Sequence, residues 1–293
     1  MAESRGDRMV AVTIYVLLSF IALLVIYPLF FVMIASISSP EMVMRGEVWL
    51  WPKELSFVGY ERLFANSELM RGYLNTLLYT VVGTAINLVM TIAAAYPLSR
   101  QDFRGRNFFT FMIVFTMFFS GGMIPTYLLI RDLGMLNTFW VMVIPSALSV
   151  WNILIMRTFF QNSIPKEVQE AAFIDGASNT KLILRIVLPL SIPVLAVMVL
   201  FYAVGHWNSY FSALLYLSDR DRYPLQLFMR EILIQGQMQE MVEISDDSLA
   251  RSLMDAEAIK YAAVIVTNLP MLLLYPFLQK YFIKGVMVGA VKG

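Results

Sequence analysis

Six long apolar segments, separated by polar stretches, are the feature that most constrains this chain of 293 residues. A helix needs roughly 20 apolar residues to cross the hydrocarbon core of a bilayer. In lipid each backbone amide must find its partner within its own segment, so these segments are predicted to be helical. Charged residues make up only 15% of the chain, against about 25% in a soluble domain. The predicted fold class is therefore all-α, a polytopic membrane protein with six transmembrane helices. The predicted spans are 10–37, 73–98, 108–130, 139–160, 188–217 and 259–282.

The distribution of Lys and Arg predicts how the spans are oriented, because cytoplasmic loops are enriched in these residues. With the N-terminus inside, the inside segments hold 12 of the 22 Lys and Arg residues, including three arginines in "SRQDFRGR" at 99–106. An N-in and C-in topology is therefore predicted. It gives an inside loop at about 161–188 and two long outside loops at about 38–72 and 218–258.

Composition excludes several classes of function. The chain has no cysteine and a single histidine, His206, so neither a cysteine-based site nor a multi-histidine metal site is expected, and no metal is predicted. A net charge of +1 gives no indication of nucleic-acid binding. No G-x-x-x-x-G-K-[ST] sequence is present, so the chain has no phosphate-binding loop of that type. No catalytic residues are predicted, and the chain is not expected to be an enzyme.

The inside loop contains a polar stretch, "QEAAFIDGASNTKLILRIVLP" at 169–189, with clear helix start and stop signals. Ser163 is the expected N-cap of a first short helix, and Gly176 supplies a left-handed turn at its end. Ser178 or Asn179 can cap a second helix that runs toward the fifth span. The pattern predicts two short helices that meet at a sharp angle. Small side chains would let another protein surface approach, although an elbow lying on the membrane would have the same pattern.

The spacing Glu-Ala-Ala, three residues, Gly-Ala and then Ile-x-Leu-Pro resembles the EAA loop of ATP-binding-cassette (ABC) importer permeases, in the expected loop. Other stretches resemble the carbohydrate-uptake branch of that family, namely 94–106, 201–226 and 275–293. The whole chain is most similar to the maltose-type second permease and its alginate- and pectin-type subgroup for complex oligosaccharides. Pro97 departs from the branch, which more often has a small residue other than proline there.

The resemblance implies a type I ABC importer permease fold, with 1–293 as a single transmembrane permease domain. It implies uptake of oligosaccharides, as breakdown products of a complex polysaccharide, through a bacterial plasma (inner) membrane. The implied partners are a second homologous permease in a heterodimer, two copies of the ATPase subunit and an extracytoplasmic solute-binding protein. No cofactor is expected on this chain, because ATP and Mg would be held by the ATPase subunits. The residues that the resemblance assigns to ATPase coupling are Glu170, Ala171, Ala172, Asp175, Gly176 and Ala177.

Sugar recognition uses aromatic faces together with amide or hydroxyl groups. Such side chains inside spans usually face protein or a water-filled cavity, although each could instead join two helices. The candidates for the translocation pathway are Asn87, Trp151, Asn152, Trp207, Asn208, Tyr210 and Ser212. Trp207 and Asn208 are the strongest of these because they lie together in the predicted fifth span.

Two alternatives stay open. An ABC importer permease for a non-sugar solute would share the elbow, and only the stretches that resemble the carbohydrate branch argue against it. An ion-coupled secondary transporter would need charged coupling residues inside its spans. The predicted spans contain almost none, so this second alternative is much weaker.

Overall fold

The computed structural model describes residues 5–240 and 247–290. Residues 241–246 of the predicted outside loop and 291–293 at the C-terminal end lie outside the described residues. Within the described ranges the secondary structure is helical apart from one isolated bridge between Ser38 and Leu55, which confirms the all-α prediction. The helices are α1 (Arg5–Ser36), α2 (Pro40–Met44), α3 (Val58–Ala65), α4 (Ser67–Ser99), α5 (Arg106–Phe118), α6 (Met123–Asp132), α7 (Val150–Ser163), α8 (Lys166–Ile174), α9 (Asn179–Leu182), α10 (Leu188–Leu190), α11 (Ile192–Trp207), α12 (Phe211–Tyr216), α13 (Leu225–Glu240) and α14 (Asp247–Ala290). Short 3-10 helices occupy Phe139–Met142 and Arg220–Arg222, and a π-helix occupies Ile183–Val187.

Three described helices are long and apolar enough to cross a membrane: Gly6–Ser36, Ser67–Ser99 and Ala256–Phe277. They correspond to the predicted first, second and sixth spans. Two further candidates are bent pairs, α5 with α6 at 110° and the Asn179–Leu190 segment with α11 at 82°. The described residues therefore contain three such helices, or up to five if each bent pair is one span.

The residues of the predicted fourth span do not form one helix. Helix α7 has 14 residues and is therefore about 21 Å long, shorter than a hydrocarbon core of about 30 Å. Proline at position 145 has no amide hydrogen to continue a helix. Ser149 then caps the start of α7, and its side-chain hydroxyl accepts a hydrogen bond from the backbone amide of Asn152. The break before α7 thus follows from a proline and a capping serine.

The bend between α5 and α6 is also caused by residues at the bend itself. Gly122 precedes α6 with φ +88°, in a region of backbone space that residues with a Cβ rarely occupy. The glycine pair at 121–122 predicts a kink in the third span, and the structure places the sharpest bend there.

The described chain divides into two compact units. In the unit formed by Met1–Leu69 and Met229–Leu269, the Tyr60 hydroxyl donates to Ser36 Oγ at 2.8 Å and the Phe31 ring meets Tyr261 edge-on. The apolar side chains of α1 are largely exposed within this chain, as expected for a helix that faces lipid.

The second unit, formed by Met70–Phe228 and Pro270–Gly293, contains a polar seam between α4 and α11. His206 Nε2 donates to Asn87 Oδ1 at 2.6 Å, since an amide oxygen only accepts. The Thr91 hydroxyl and the Tyr202 hydroxyl are 2.7 Å apart. A Cβ at Gly83 would lie 2.4 Å from His206 Nε2, so glycine is what allows the imidazole to lie against α4. The buried polar side chains along α4 are Thr76, Thr80, Thr84, Asn87 and Thr91.

Candidate functional site

The predicted elbow is present between α7 and α9, with one difference at its start. Ser163 is the last residue of α7 rather than the N-cap of α8, and Pro165 holds the N-cap position. Ile164 between them is extended and only 4% exposed. A residue before proline avoids the helical region, so α7 has to end there. The expectation that Ser163 caps α8 was therefore wrong.

The turn itself follows the glycine-based helix ending that the sequence predicts. Gly176 has φ +73°, and the Ala177 amide donates to the Ala172 carbonyl at 2.9 Å. This bond closes the last turn of α8 in a Schellman motif. Ser178 then caps α9 by accepting from the Lys181 amide. Of the two predicted caps for the second helix, Ser178 is therefore the one that is used.

One side of the elbow faces away from the protein core. Glu170, Ala171, Asp175 and Gly176 are exposed. Ile174, which lies beside them, is 86% exposed, whereas isoleucine is usually buried. Sequence reasoning missed Ile174, although an apolar residue directly before a predicted turn was the available signal. The exposed side thus combines small residues with one protruding apolar side chain.

The other side of the elbow is built into the core of the second unit. Ala172 is 7% exposed and Leu182 is fully buried. Both belong to one cluster of buried side chains, and Ala177 packs against it. The six coupling candidates therefore divide: Ala172 and Ala177 hold the elbow in place, and the other four present its outer surface.

Arg100 joins the elbow to the loop that follows α4. Its guanidinium donates to Gln169 Oε1 at 3.0 Å and lies 5.1 Å from the centre of the Phe173 ring. It also makes two hydrogen bonds to the Asp102 carboxylate, which hold the pKa of Asp102 below its usual range. Sequence reasoning used this arginine only for topology, because a loop cation shows no partner until the fold is known.

Replacing Arg100 with methionine is expected to loosen α8. The change removes the hydrogen bond to Gln169 and the cation–π contact with Phe173, together worth about 1 kcal/mol at a partly exposed site. Amide hydrogen exchange in α8 should then become about fivefold faster, since local opening depends on such contacts. Arg104→Met is the matched control, because Arg104 is an exposed arginine of the same loop. Equal exchange rates in α8 for wild type and Arg100→Met would show that Arg100 does not stabilise this helix.

Three of the seven pathway candidates are buried in this structure. Asn87 is fully buried and bonded to His206, and its Nδ2 donates to the Ser146 carbonyl at 2.6 Å. Trp207 is 1% exposed and packs edge-on against Tyr73. Asn152 is 6% exposed in the first turn of α7. In this conformation Asn87 and Trp207 hold α4 and α11 together, and Asn152 is shielded from any open pathway.

The other four candidates are accessible. Trp151 is 59% and Tyr210 is 42% exposed, Asn208 is exposed and Ser212 is half-buried. Asn208 caps α11, and its side chain donates to the Val204 carbonyl at 2.9 Å. All four are uncharged. Within the described ranges, no group of three or more His, Asp or Glu side chains is arranged to hold a metal ion.

Comparisons with known proteins agree over most of the chain. A family model described as "Binding-protein-dependent transport system inner membrane component" matches residues 70–288. Protein LplC of Bacillus subtilis is 36% identical over 100% of this chain and 98% of its own length. The polygalacturonan/rhamnogalacturonan transport system permease protein YtcP of the same organism is 39% identical over 98% of this chain and 99% of its own.

A solved structure is also similar. It is a chain of a bacterial ABC transporter involved in the import of the acidic polysaccharide alginate. The two chains superpose with a TM-score of 0.87 at 34% identity, over 96% of this chain and 99% of the other. The fold is therefore shared along nearly the whole chain.

Proposed function

The chain belongs to the family of binding-protein-dependent transport system inner membrane components, and we propose that it takes up oligosaccharide fragments of a complex acidic polysaccharide. As a member of this family it is a multi-pass protein of the inner membrane and the permease subunit of an ABC importer. Its role is transport and not catalysis, because the ATPase site of the importer is on a different subunit. We further propose six spans with both termini inside, as one permease domain over 1–293.

The two-sided elbow is the observation that carries the coupling part of this proposal. A surface that receives motion from another protein must be accessible on one side and firmly held on the other. The exposed Ile174 and Gly176 with the buried Ala172 and Leu182 meet both needs. Glu170, Ala171, Asp175 and Gly176 would contact the ATPase subunit, while Ala172 and Ala177 position them.

The proposed assembly contains this permease, a second homologous permease and two ATPase subunits that bind ATP and Mg. A solute-binding protein would deliver the sugar to the outside loops, about 38–72 and 218–258. ATP binding would bring the two elbows together and open the cavity outward, and hydrolysis would return it inward. The inside loop, about 161–188, is the point of entry for that motion.

The substrate class rests on two of the similar proteins, which are named for polygalacturonan or rhamnogalacturonan and for alginate. The accessible candidates Trp151, Asn208, Tyr210 and Ser212 offer ring faces and hydrogen-bonding groups for sugars. Asn87, Asn152 and Trp207 would reach the pathway only if the helices that bury them separate. Because all seven are neutral, cations that neutralise an acidic sugar would have to come from the loops of this chain, the second permease or the binding protein.

Uptake of labelled sugars by the complete importer tests this proposal. Oligogalacturonides are expected to accumulate and to stimulate ATP hydrolysis, whereas amino acids should not. Tyr210→Ala should raise the KM for uptake about fivefold, since an aromatic contact is worth about 1 kcal/mol. Tyr15→Ala is the matched control, because Tyr15 is an exposed tyrosine of α1. Stimulation by an amino acid and by no sugar would replace the proposal with the non-sugar alternative.

A further inference from the structure

An open cavity of about 570 Å³ lies beside the elbow, lined by the loop after α4, the C-terminal end of α7 and α8. Its volume is within the range of about 300–1,000 Å³ that is typical of small-molecule sites. The exposed coupling side chain Ile174 does not line it. The cavity shares Glu170 with the outer surface of the elbow, but Asp175 and Gly176 do not line it either.

Three arginines line this cavity, and only one of them is neutralised. Arg100 is paired with Asp102. Arg106 and Arg157 both line the cavity, and among the described residues no carboxylate forms an ion pair with either of them. Arg157 uses its Nε to donate to the Leu98 carbonyl, which leaves the outer nitrogens of its guanidinium for a ligand.

The other polar groups of the cavity fit an anion that accepts several hydrogen bonds. The side-chain amides of Gln161 and Asn162 line it beside the arginines and can donate. Glu170 also lines it and opposes an anion, but three arginines against Asp102 and Glu170 leave a net positive charge. Planar guanidinium groups suit phosphate oxygens in particular, because they bind them in a bidentate manner.

The surroundings of Arg106 indicate where such a phosphate would come from. Arg106 is the first residue of α5, a helix with no buried residue. Phe108 and Phe111 are 61% and 63% exposed. Exposed phenylalanines on an apolar helix face lipid, and a long arginine side chain at the end of such a helix extends to the membrane–water interface. Basic pockets at that level bind the headgroups of anionic lipids.

We propose that this cavity binds the phosphate of an anionic phospholipid, with Arg106 and Arg157 on the phosphate and the acyl chains along the exposed side of α5. A free phosphate would satisfy the same guanidinium groups but would not use the apolar surface of α5. The site holds a lipid between the loop after α4 and the end of α7, next to α8.

Lipid retention by the purified importer tests the proposal. The complex is reconstituted in nanodiscs of phosphatidylcholine with phosphatidylglycerol, extracted in mild detergent, and its bound phosphatidylglycerol is counted by mass spectrometry. Arg106→Gln is expected to lower retention about five- to tenfold, because each basic residue near a lipid surface contributes about that factor. Arg106→Lys, which keeps the charge but loses the bidentate geometry, should be intermediate. Arg104→Gln, the same charge change on an exposed neighbour, should retain the wild-type amount.

Three results would overturn the proposal. Retention unchanged in Arg106→Gln would show that the cavity does not hold the lipid. Displacement of the bound phosphatidylglycerol by millimolar inorganic phosphate would assign the site to free phosphate. Loss of the ATPase subunit from Arg106→Gln with the lipid count unchanged would assign the cavity to that protein partner.

Discussion

Replacing Gly176 with valine is expected to lower substrate-stimulated ATP hydrolysis and transport about tenfold, while membrane insertion stays normal. Gly176 has φ +73° with open space around it, so the obstacle is backbone strain and not a clash. An L-residue costs roughly 1–2 kcal/mol in this conformation, and a β-branched residue is least tolerated. The strain would turn the chain between α8 and α9 and move Ile174 and Asp175 away from the surface that we propose they contact. Uptake and ATP hydrolysis by the reconstituted importer measure the effect.

Two further variants separate strain in the elbow from strain in general. Gly176→Asn should keep most of the activity, because asparagine adopts left-handed conformations more readily than other residues. Gly134→Val introduces the same strain at φ +66°, again with nothing within 4 Å, but at the end of α6. If Gly134→Val and Gly176→Val lower substrate-stimulated ATP hydrolysis by the same factor, the proposed role of the elbow in coupling is contradicted.

Replacing Gly83 with alanine is expected to destabilise the permease by about 3 kcal/mol and to abolish uptake. The new Cβ would lie 2.4 Å from His206 Nε2, so the imidazole must leave its place. That movement breaks its hydrogen bond to Asn87. A buried polar group without its partner costs about 1–3 kcal/mol, and overpacking costs about 1–3 kcal/mol more. The amount of monodisperse protein that survives heating in detergent measures the change.

The control for Gly83 lies on the facing helix. Gly205 precedes His206, and a methyl group added there would meet nothing within 4 Å, so Gly205→Ala should leave stability unchanged or slightly higher. The double variant Gly83→Ala with His206→Ala should be no less stable than His206→Ala alone, because the clash needs the ring. Wild-type heat resistance of Gly83→Ala would contradict the close approach of the two helices.

The sequence predicted those features that depend on local residue order. The long apolar runs predicted α1, α4 and the apolar part of α14, and the glycine pair at 121–122 predicted the bend between α5 and α6. Gly176 and Ser178 predicted the turn and the second cap of the elbow. In each case the physical cause lies within a few residues along the chain.

Other features depend on residues that are far apart in sequence. The contacts of Arg100 with Gln169 and of Asn87 with His206 span 69 and 119 positions, and hydropathy does not reveal such pairs. The packing of α11 against α4 explains why Asn87 and Trp207, predicted to line the pathway, are buried here. The sequence identified them as unusual polar or aromatic residues in a span but could not say which surface they face.

The buried side of the elbow has a mechanical consequence for the helices around it. Ala172 and Leu182 share one tightly packed cluster with Leu98 of α4, Met156 of α7 and Met198 of α11. Close-packed interiors have low compressibility, so a displacement is passed on and not absorbed. A force applied at Ile174 therefore reaches three helices at once, and they lose the freedom to move independently. If the ATPase subunit acts on the elbow as proposed, the number of helices that move with it is set by the buried side chains of Ala172 and Leu182 and not by the exposed surface.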